Sequence, residues 1–152
     1  MGAWTPQNSP QIDVRGPRFS AALTSLVLLV ALLTQQPWLL AFQVAVFAVA
    51  AIAGLKWSPY GNLFRLAKRT FDLGPPPETE PAAGPRFSQA VGLVFSGAGL
   101  AVILAGAPAV GWTLVGVVAV LSALLAITGF CVGCMVFTLL LRARYLLNRG
   151  AA

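Results

Sequence analysis

The residues of this chain best suited to chemistry are two cysteines spaced as Cys-x-x-Cys, Cys131 and Cys134. They lie in the segment Gly-Phe-Cys-Val-Gly-Cys at 129–134, towards the end of the longest apolar run. On a helix, residues three apart share a face, and a Cα separation of about 5 Å allows a disulfide. The spacing therefore predicts a candidate redox pair, with Cys131 as the attacking thiol if the helix begins there.

Three interpretations of the pair are open from the sequence. Cysteine packs well as a small apolar residue, and Gly129 and Gly133 form a Gly-x-x-x-Gly pair that lets a neighbouring helix approach. Alternatively, a helix N-terminus favours the thiolate and so redox or sulfur chemistry. The third interpretation is a soft ion such as Cu(I), since zinc sites want four ligands and histidine is absent.

The elements that must position these cysteines are membrane helices. The chain is 58% hydrophobic and 9% charged, with a mean hydropathy of +0.82, whereas a soluble domain carries about 25% charged residues. The net charge of +6 reflects ten Lys and Arg against four Asp and Glu. The ten basic residues are confined to short segments, which is typical of membrane loops and not of a nucleic-acid-binding face. No charged residue interrupts an apolar run, which excludes proton relays and carboxylate catalysis at membrane depth. We expect no nucleic-acid partner, cofactor or resident metal.

Apolar runs separated by polar breaks predict an all-α membrane protein with four transmembrane helices, each needing about 20 residues. The first run is interpreted as a retained span, because no small-residue cleavage site closes it. Residues 74–81, rich in proline, are predicted to form neither helix nor strand. In order, the predicted segments are a mobile tail 1–15, spans 19–34 and 38–55, an interfacial helix 62–71, a linker 74–83, spans 87–106 and 110–129, and a helix 133–147.

The five letters Gly-Pro-Arg-Phe-Ser occur at 16–20 and again at 84–88. They divide the chain into two tandem halves, 16–73 and 84–149, each with two spans followed by a basic amphipathic interfacial helix. Because each half crosses twice, the predicted relation is a pseudo-two-fold axis along the membrane normal. Aligning the halves sets Cys131 against Ser58 and Cys134 against Gly61.

Charge predicts the orientation. All basic residues fall in the N-terminal tail, the central loop and the C-terminal segment, and the turns at 35–37 and 107–109 have none. The positive-inside rule then places both termini and the central loop in the cytoplasm. Gln43 is the one amide inside a span, and we expect it to form an interhelical hydrogen bond.

Several motifs resemble a bacterial integral membrane family known as domain of unknown function 4395, across roughly residues 10–147. The resemblance implies the bacterial inner membrane and carries no established activity. The motifs are Ile12-Asp13-x-Arg15-Gly16-Pro17-Arg18-Phe19, Pro59-Tyr60-x-x-Leu63-Phe64-Arg65, the second Gly-Pro-Arg-Phe, and Gly129-Phe130-Cys131-x-Gly133-Cys134.

The leading functional hypothesis is a thiol–disulfide or sulfur-relay component, in which Cys131 and Cys134 cycle at the cytoplasmic face. Its partner would be a thioredoxin-like or sulfur-carrier protein. The alternative is a non-catalytic scaffold that forms homo-oligomers through Gly129 and Gly133 and holds anionic lipid on its basic rims. A small transporter or soft-metal carrier ranks last, because no ionisable residue lies in the spans to drive coupling.

Overall fold

The computed structural model describes residues 9–151, which form helices α1 to α6 and a short two-stranded ladder. Within this range the fold is all-α apart from the ladder, as the sequence predicts. The first eight residues of the predicted mobile tail lie outside the described residues. The helices are α1 Arg15–Thr34, α2 Pro37–Ala48, α3 Pro59–Thr70, α4 Ala83–Leu104, α5 Pro108–Thr128 and α6 Val132–Gly150, and the strands are β1 Gln11–Asp13 and β2 Thr79–Pro81.

Helices α1, α4 and α5 are long and apolar enough to cross a membrane. Helix α2 continues beyond Ala48 as a π turn, Val49–Ala53, so the second apolar helix runs from Pro37 to Ala53 and is shorter. It ends at Gly54, whose φ of +105° is accessible to glycine at little cost. The four predicted spans thus correspond to three helices of full length and one shorter apolar helix.

The turns that follow α1 and α4 are built in a similar way. Gln35 ends α1 with a φ of 54°, and Pro37 opens α2. Gly106, with a φ of +100°, follows α4, and Pro108 opens α5. Proline suits a first helical turn because its missing N–H would have no partner there. Each pair of apolar helices therefore reverses direction at a short uncharged turn.

The core lies where α1 packs against α2 and α5, and where α4 packs against α2 and α5. Leu28, Leu40 and Val115 are fully buried at its centre. A Cβ atom at Gly92 would lie 2.9 Å from the Phe47 ring, so this glycine is what lets α4 approach α2. Close approach of this kind provides the packing contacts on which membrane helices depend.

A buried chain of hydrogen bonds links the first three helices. The amide nitrogen of Gln43 donates to the hydroxyl of Thr24 at 3.3 Å, and the hydroxyl of Tyr60 donates to the Gln43 carbonyl oxygen at 2.7 Å. These bonds confirm the interhelical hydrogen bond expected for Gln43, which has no exposed surface. Burial also raises the pKa of Tyr60 to about 12, which keeps its hydroxyl protonated as a donor.

Strands β1 and β2 form an antiparallel ladder in which Ile12 is opposite Glu80. Flanking bonds extend it, from Val14 N–H to the Glu78 carbonyl at 3.3 Å and from Ala82 N–H to the Pro10 carbonyl at 3.0 Å. The expectation that residues 74–81 form no strand is therefore wrong for Thr79–Pro81. Proline is compatible with this strand because Pro81 occupies its last position on an edge, where no ladder N–H is required.

Two arginines of the repeated motif bind the ends of helices in the other half of the chain. The Arg18 guanidinium donates to the carbonyls of Ala126 and Ile127 at 3.4 and 3.3 Å, near the end of α5. The Arg86 guanidinium donates to the carbonyls of Ala51 and Ile52, both at 2.9 Å, in the π turn after α2. Each arginine satisfies carbonyls that the helix end leaves without an intrahelical partner.

A charged cluster fastens the loop between α3 and β2. The Asp13 carboxylate accepts hydrogen bonds from the Arg15 guanidinium at 2.8 Å and from the Lys68 ammonium at 3.2 Å. Arg15 also donates to the carbonyls of Leu73 and Gly74, at 3.1 and 3.3 Å. These bonds, led by the one from Arg15, lower the pKa of Asp13 from 3.8 to about 2.

Replacing Asp13 with asparagine should loosen this loop, because Arg15 and Lys68 lose their shared anion. We expect cleavage after Glu78 by a glutamate-specific protease to become several-fold faster. Asp72→Asn is the matched control, since Asp72 is exposed and the same charge is removed. Equal cleavage rates in the two variants would show that the cluster does not fasten the loop.

The same cluster makes the loop sensitive to pH. The carboxylate has a lower pKa in the folded protein, so its stabilising contribution is complete above about pH 4 and is lost as the pH falls towards 2. Amide hydrogen-exchange protection of Leu73, whose N–H donates to the Lys68 carbonyl at 3.1 Å, should fall over this range after correction for intrinsic rates. Asp13→Asn should abolish the transition.

Candidate functional site

The cysteine segment begins where α5 stops. Gly129 ends α5 with a φ of +76°, in the left-handed region that a glycine adopts readily. Phe130 and Cys131 are not helical, and α6 begins at Val132, one residue before the predicted start. Helix α6 therefore does not continue α5, and Gly129 and Gly133 do not lie on one continuous helix.

Cys131 and Cys134 are placed for a disulfide. Their Cα atoms are 5.2 Å apart and their sulfur atoms are bonded in the structure, which agrees with the separation expected for a helical Cys-x-x-Cys. Cys131 is the N-cap residue of α6, and its sulfur accepts a hydrogen bond from the Cys134 backbone N–H at 3.1 Å. Both side chains are partly exposed. An external thiol or disulfide can therefore reach them.

The floor of the site is the start of α4. The Ser88 hydroxyl lies 3.2 Å from the Cys131 sulfur and 3.7 Å from the Cys134 sulfur, and it is also 3.2 Å from the Gly84 carbonyl. A hydroxyl has one hydrogen to donate. It can bond to the Gly84 carbonyl while the sulfurs are oxidised and rotate towards a thiolate once they are reduced.

Two glycines let α6 lie close to α4. A Cβ atom at Gly84 would be 3.3 Å from Cys134 Cβ, and one at Gly133 would be 2.8 Å from Ser88 Cβ and 3.0 Å from Ser88 Cα. The rings of Phe87 and Phe137, 5.3 Å apart, close the same contact on its other side. Gly133 therefore serves a contact within the chain.

The sequence pointed to neither Gly84 nor Ser88 as part of this site. The repeated Gly-Pro-Arg-Phe-Ser served only to divide the chain into two halves, whereas Ser88 lies inside α4 and its hydroxyl donates one turn back to the Gly84 carbonyl. A usable signal was present, because glycine and serine four residues apart share a helical face. Only the folded chain, however, shows that this face meets the cysteines.

The corresponding position in the first half has a similar local structure without cysteine. Ser58 is the N-cap of α3, and its hydroxyl accepts a hydrogen bond from the Gly61 N–H at 3.4 Å. Phe19 and Phe64 are in contact there, with ring centroids 5.7 Å apart. The alignment made from the sequence pairs Ser58 with Cys131 and Gly61 with Cys134. Ser58 and Cys131 are both N-cap residues whose side chains accept the backbone N–H three residues further on.

The cysteine pair is surrounded mainly by apolar side chains. An apolar cavity of about 420 Å³ reaches from Cys131 and Ser88 to Phe95 and Leu121, and none of the described residues that line it is Lys, Arg, Asp or Glu. Within residues 9–151, no three His, Cys, Asp or Glu side chains are close enough together to hold a metal ion. With these two sulfurs, the pair can exchange with a disulfide or dithiol of another molecule.

Long apolar helices indicate an all-α membrane protein, and its Cys-x-x-Cys pair lies at a helix N-terminus with the two sulfurs bonded. Within that class, the chain belongs to the family described as domain of unknown function DUF4395, whose model matches residues 12–142. No curated protein and no solved structure matches the chain. The matched region includes Gly84, Ser88 and both cysteines.

Proposed function

We propose that the chain crosses the bacterial inner membrane four times and presents its cysteine pair at the cytoplasmic face for thiol–disulfide exchange. The ladder supports four crossings, since it joins the start of α1 to the start of α4 and so keeps both on one side. If α1 crosses the membrane, the chain must return before α4 begins. The apolar helix Pro37–Ala53 is the segment available for that return.

Helices α4 and α5 repeat the argument for the second half. Helix α4 leaves from the ladder side, and α5 must return to it because Cys131 lies against Ser88 near the start of α4. The beginnings of α1, α4 and α6 are then on the same side of the membrane. All ten Lys and Arg fall at that end or on α3 and α6, so the positive-inside rule places it in the cytoplasm together with both termini.

Paired contacts support a pseudo-two-fold relation between the halves. The two copies of Gly-Pro-Arg-Phe-Ser are 68 residues apart, so this spacing makes Glu80 the counterpart of Ile12 in the second half. The ladder places these two counterparts opposite each other. The bond from Val14 to Glu78 corresponds in the same way to the bond from Ala82 to Pro10. The helix-end bonds of Arg18 and Arg86 are also exchanged between the halves.

Helix α6 fits the interfacial position proposed for it. It packs against α4 through buried Phe137. Arg142 and Arg149 lie at one edge of its exposed apolar side chains and Arg144 at the other. Its exposed apolar side chains fall on one arc of the helix, as in helices that lie in the headgroup plane. They are Met135, Val136, Leu139, Leu140, Leu146 and Leu147.

The observation that supports the exchange function best is the placement of Cys131. Its sulfur lies at the N-terminus of a helix, accepts one backbone N–H and is next to the Ser88 hydroxyl. All three features stabilise a negative charge on sulfur. A cytoplasm keeps thiols reduced, so a pair placed there cycles and does not serve as a permanent crosslink.

In the proposed exchange, the oxidant is the disulfide of a partner, a thioredoxin-like protein. The Cys131 thiolate attacks one partner sulfur, the partner disulfide breaks, and a mixed disulfide forms. The Cys134 thiolate then attacks the Cys131 sulfur and releases the partner as a dithiol. Two electrons pass to the partner, which takes up two protons, and the pair ends as a disulfide.

The test is trapping in cells. Cys134→Ser leaves a mixed disulfide unresolved, so the full-length protein should accumulate as a covalent adduct that reductant removes. Cys131→Ser should give little adduct, and the double Cys→Ser variant none, while all three variants insert in the membrane to the level of the unmodified protein.

The redox state of the unmodified protein provides the second measurement. Cells are quenched with acid and labelled with a bulky thiol reagent before and after reduction. A protected fraction that increases with oxidant supports cycling. Equal adduct in the double variant, or two thiols that stay free under oxidant, would refute the exchange function.

A further inference from the structure

A second and larger cavity lies on the ladder side of the first half. It is a groove of about 570 Å³ between the start of α1, the segment 53–58, helix α3 and the start of α4. Its walls include apolar side chains, among them Ile12, Pro17, Phe64 and Pro85. We call it the α3 groove. A volume of this order accommodates a small amphipathic molecule or the polar end of a larger one.

The charges around the α3 groove are mostly positive. Lys56, Arg65, Lys68 and Arg86 line it, with Asp13 as the one carboxylate. Asp13 is already engaged by Arg15 and Lys68, and Arg86 is engaged by the carbonyls of the π turn. The excess positive charge available to a ligand is therefore concentrated at Lys56 and Arg65.

These two cations can accept a further anionic partner. Among the residues that the structure describes, the Lys56 ammonium makes no hydrogen bond or ion pair. Arg65 uses one of its terminal nitrogens on the Lys56 carbonyl and the Asn62 side chain, and a guanidinium has five N–H donors in all. Both side chains are exposed.

The contrast with the cysteine cavity shows that this charge is a local feature. Among the residues that the structure describes, no charged side chain lines that cavity of about 420 Å³, whereas four cations line the α3 groove. In the topology proposed above, the α3 groove lies at the level of the cytoplasmic headgroups. An occupant there meets cations at the rim and apolar walls below them.

We propose that the α3 groove binds an anionic phospholipid, with its headgroup phosphate between Lys56 and Arg65 and the start of an acyl chain along Phe64 and Pro85. Phosphate complements the excess positive charge, and the chain complements the apolar walls. A soluble phosphate compound would satisfy the cations alone. The inference depends on the membrane arrangement proposed above and not on the chemistry of the cysteines.

The test uses the full-length protein in detergent, with native mass spectrometry after addition of phosphatidylglycerol or phosphatidylcholine. We expect preferential retention of phosphatidylglycerol, and an affinity about tenfold lower in the Lys56→Gln/Arg65→Gln variant. The matched control is Arg142→Gln/Arg144→Gln, which removes the same charge from exposed positions on α6. That control should bind phosphatidylglycerol nearly as well as the unmodified protein.

A second variant keeps every charge and fills the α3 groove. Ala53 lines the groove and is exposed, so Ala53→Phe should obstruct the acyl chain and also weaken phosphatidylglycerol binding. Glycerol 3-phosphate, which has the anion without the chain, should not displace the lipid. Circular dichroism confirms that each variant is folded.

Three results would overturn the proposal. Equal loss in the two double variants would indicate attraction to the basic surface in general. Displacement by glycerol 3-phosphate, with no effect of Ala53→Phe, would indicate a soluble anion. Equal retention of both lipids would indicate no headgroup recognition. The double Cys→Ser variant should bind lipid normally, so failure of the exchange function would leave this result unchanged.

Discussion

Replacing Gly133 with leucine should separate α6 from α4 and expose both cysteines to thiol reagents. The new Cβ atom would lie 3.0 Å from Ser88 Cα, a backbone atom that a change of rotamer cannot move. Overpacking of this kind costs about 2 kcal/mol. Because every 1.4 kcal/mol is a factor of ten, the undocked population should rise about thirtyfold. Both cysteines are only partly exposed in the docked protein, so the rate at which a bulky maleimide alkylates the reduced protein should increase with that population.

Gly116→Leu is the matched control. Gly116 lies inside α5, and within residues 9–151 a Cβ atom there would meet nothing within 4 Å. Leucine should therefore be tolerated and should favour the helix slightly. A milder pair tests the contact directly. Gly133→Ala should increase alkylation less than leucine does, and adding Ser88→Gly should partly reverse the increase, since it removes the Ser88 Cβ from the clash.

Gly133→Leu also distinguishes two possible roles of Gly133, a contact between copies of the chain and a contact within one chain. If Gly133 lies in an interface between two copies of the chain, Gly133→Leu should change the oligomeric state and leave the alkylation rate unchanged. The intramolecular contact predicts the opposite. Light scattering on the detergent-solubilised protein, run beside the alkylation assay, decides between them.

The helices could be predicted from the sequence because their signals are local. Gln35-Gln36-Pro37 and Ala107-Pro108 mark reversals that any apolar chain of this length would need, and the structure has a turn at each. The predicted second span, 38–55, instead ends in a π turn at Ala53. Hydropathy does not register a π turn, because the turn changes hydrogen bonding and not side-chain polarity.

The ladder and the floor of the cysteine site could not be predicted, because both depend on contacts distant in sequence. Pro81 argued locally against a strand, and only the partner strand Gln11–Asp13 shows that its missing N–H is not needed. Ser88 carries no local signal of contact with the cysteines, and only the fold brings its hydroxyl within 3.2 Å of the Cys131 sulfur. The cysteine spacing alone, by contrast, was enough to predict a disulfide-forming geometry.

Corresponding positions in the two halves have different side chains. The first half has Ser58 at the N-cap of α3 and the Asp13–Lys68 pair beside it. The second half has Cys131 at the N-cap of α6, and its nearby cavity lacks charge. In the repeat proposed above, one half carries a cationic groove and the other carries the cysteine pair, so the proposed lipid site and the proposed exchange site lie in different halves.

Replacing Arg86 with glutamine should destabilise the whole helical bundle, since Arg86 is what holds the end of the shortest apolar helix. Its guanidinium makes two bonds of 2.9 Å to the carbonyls of Ala51 and Ile52, and it places a cation at the negative end of that helix. Hydrogen bonds to charged groups contribute about 2 kcal/mol each. Thermal unfolding in detergent, followed by circular dichroism, should shift down by several degrees.

The matching variant Arg18→Gln should have a smaller effect. Arg18 binds the end of α5 at 3.3 to 3.4 Å, and α5 is long enough to be held along its whole length by α1 and α4. Arg69→Gln, at an exposed position on α3, controls for the loss of one charge and should leave the unfolding temperature nearly unchanged.

Arg86→Lys separates charge from geometry. Lysine keeps the cation near the helix end but lacks the planar fork that reaches two carbonyls at once, so it should recover only part of the loss. Full recovery would mean that charge alone stabilises the π turn. If Arg86→Gln were as stable as Arg69→Gln, the bonds from Arg86 to Ala51 and Ile52 would not hold the two halves together. The position of α4, on which Ser88 meets Cys131, would then depend on other contacts.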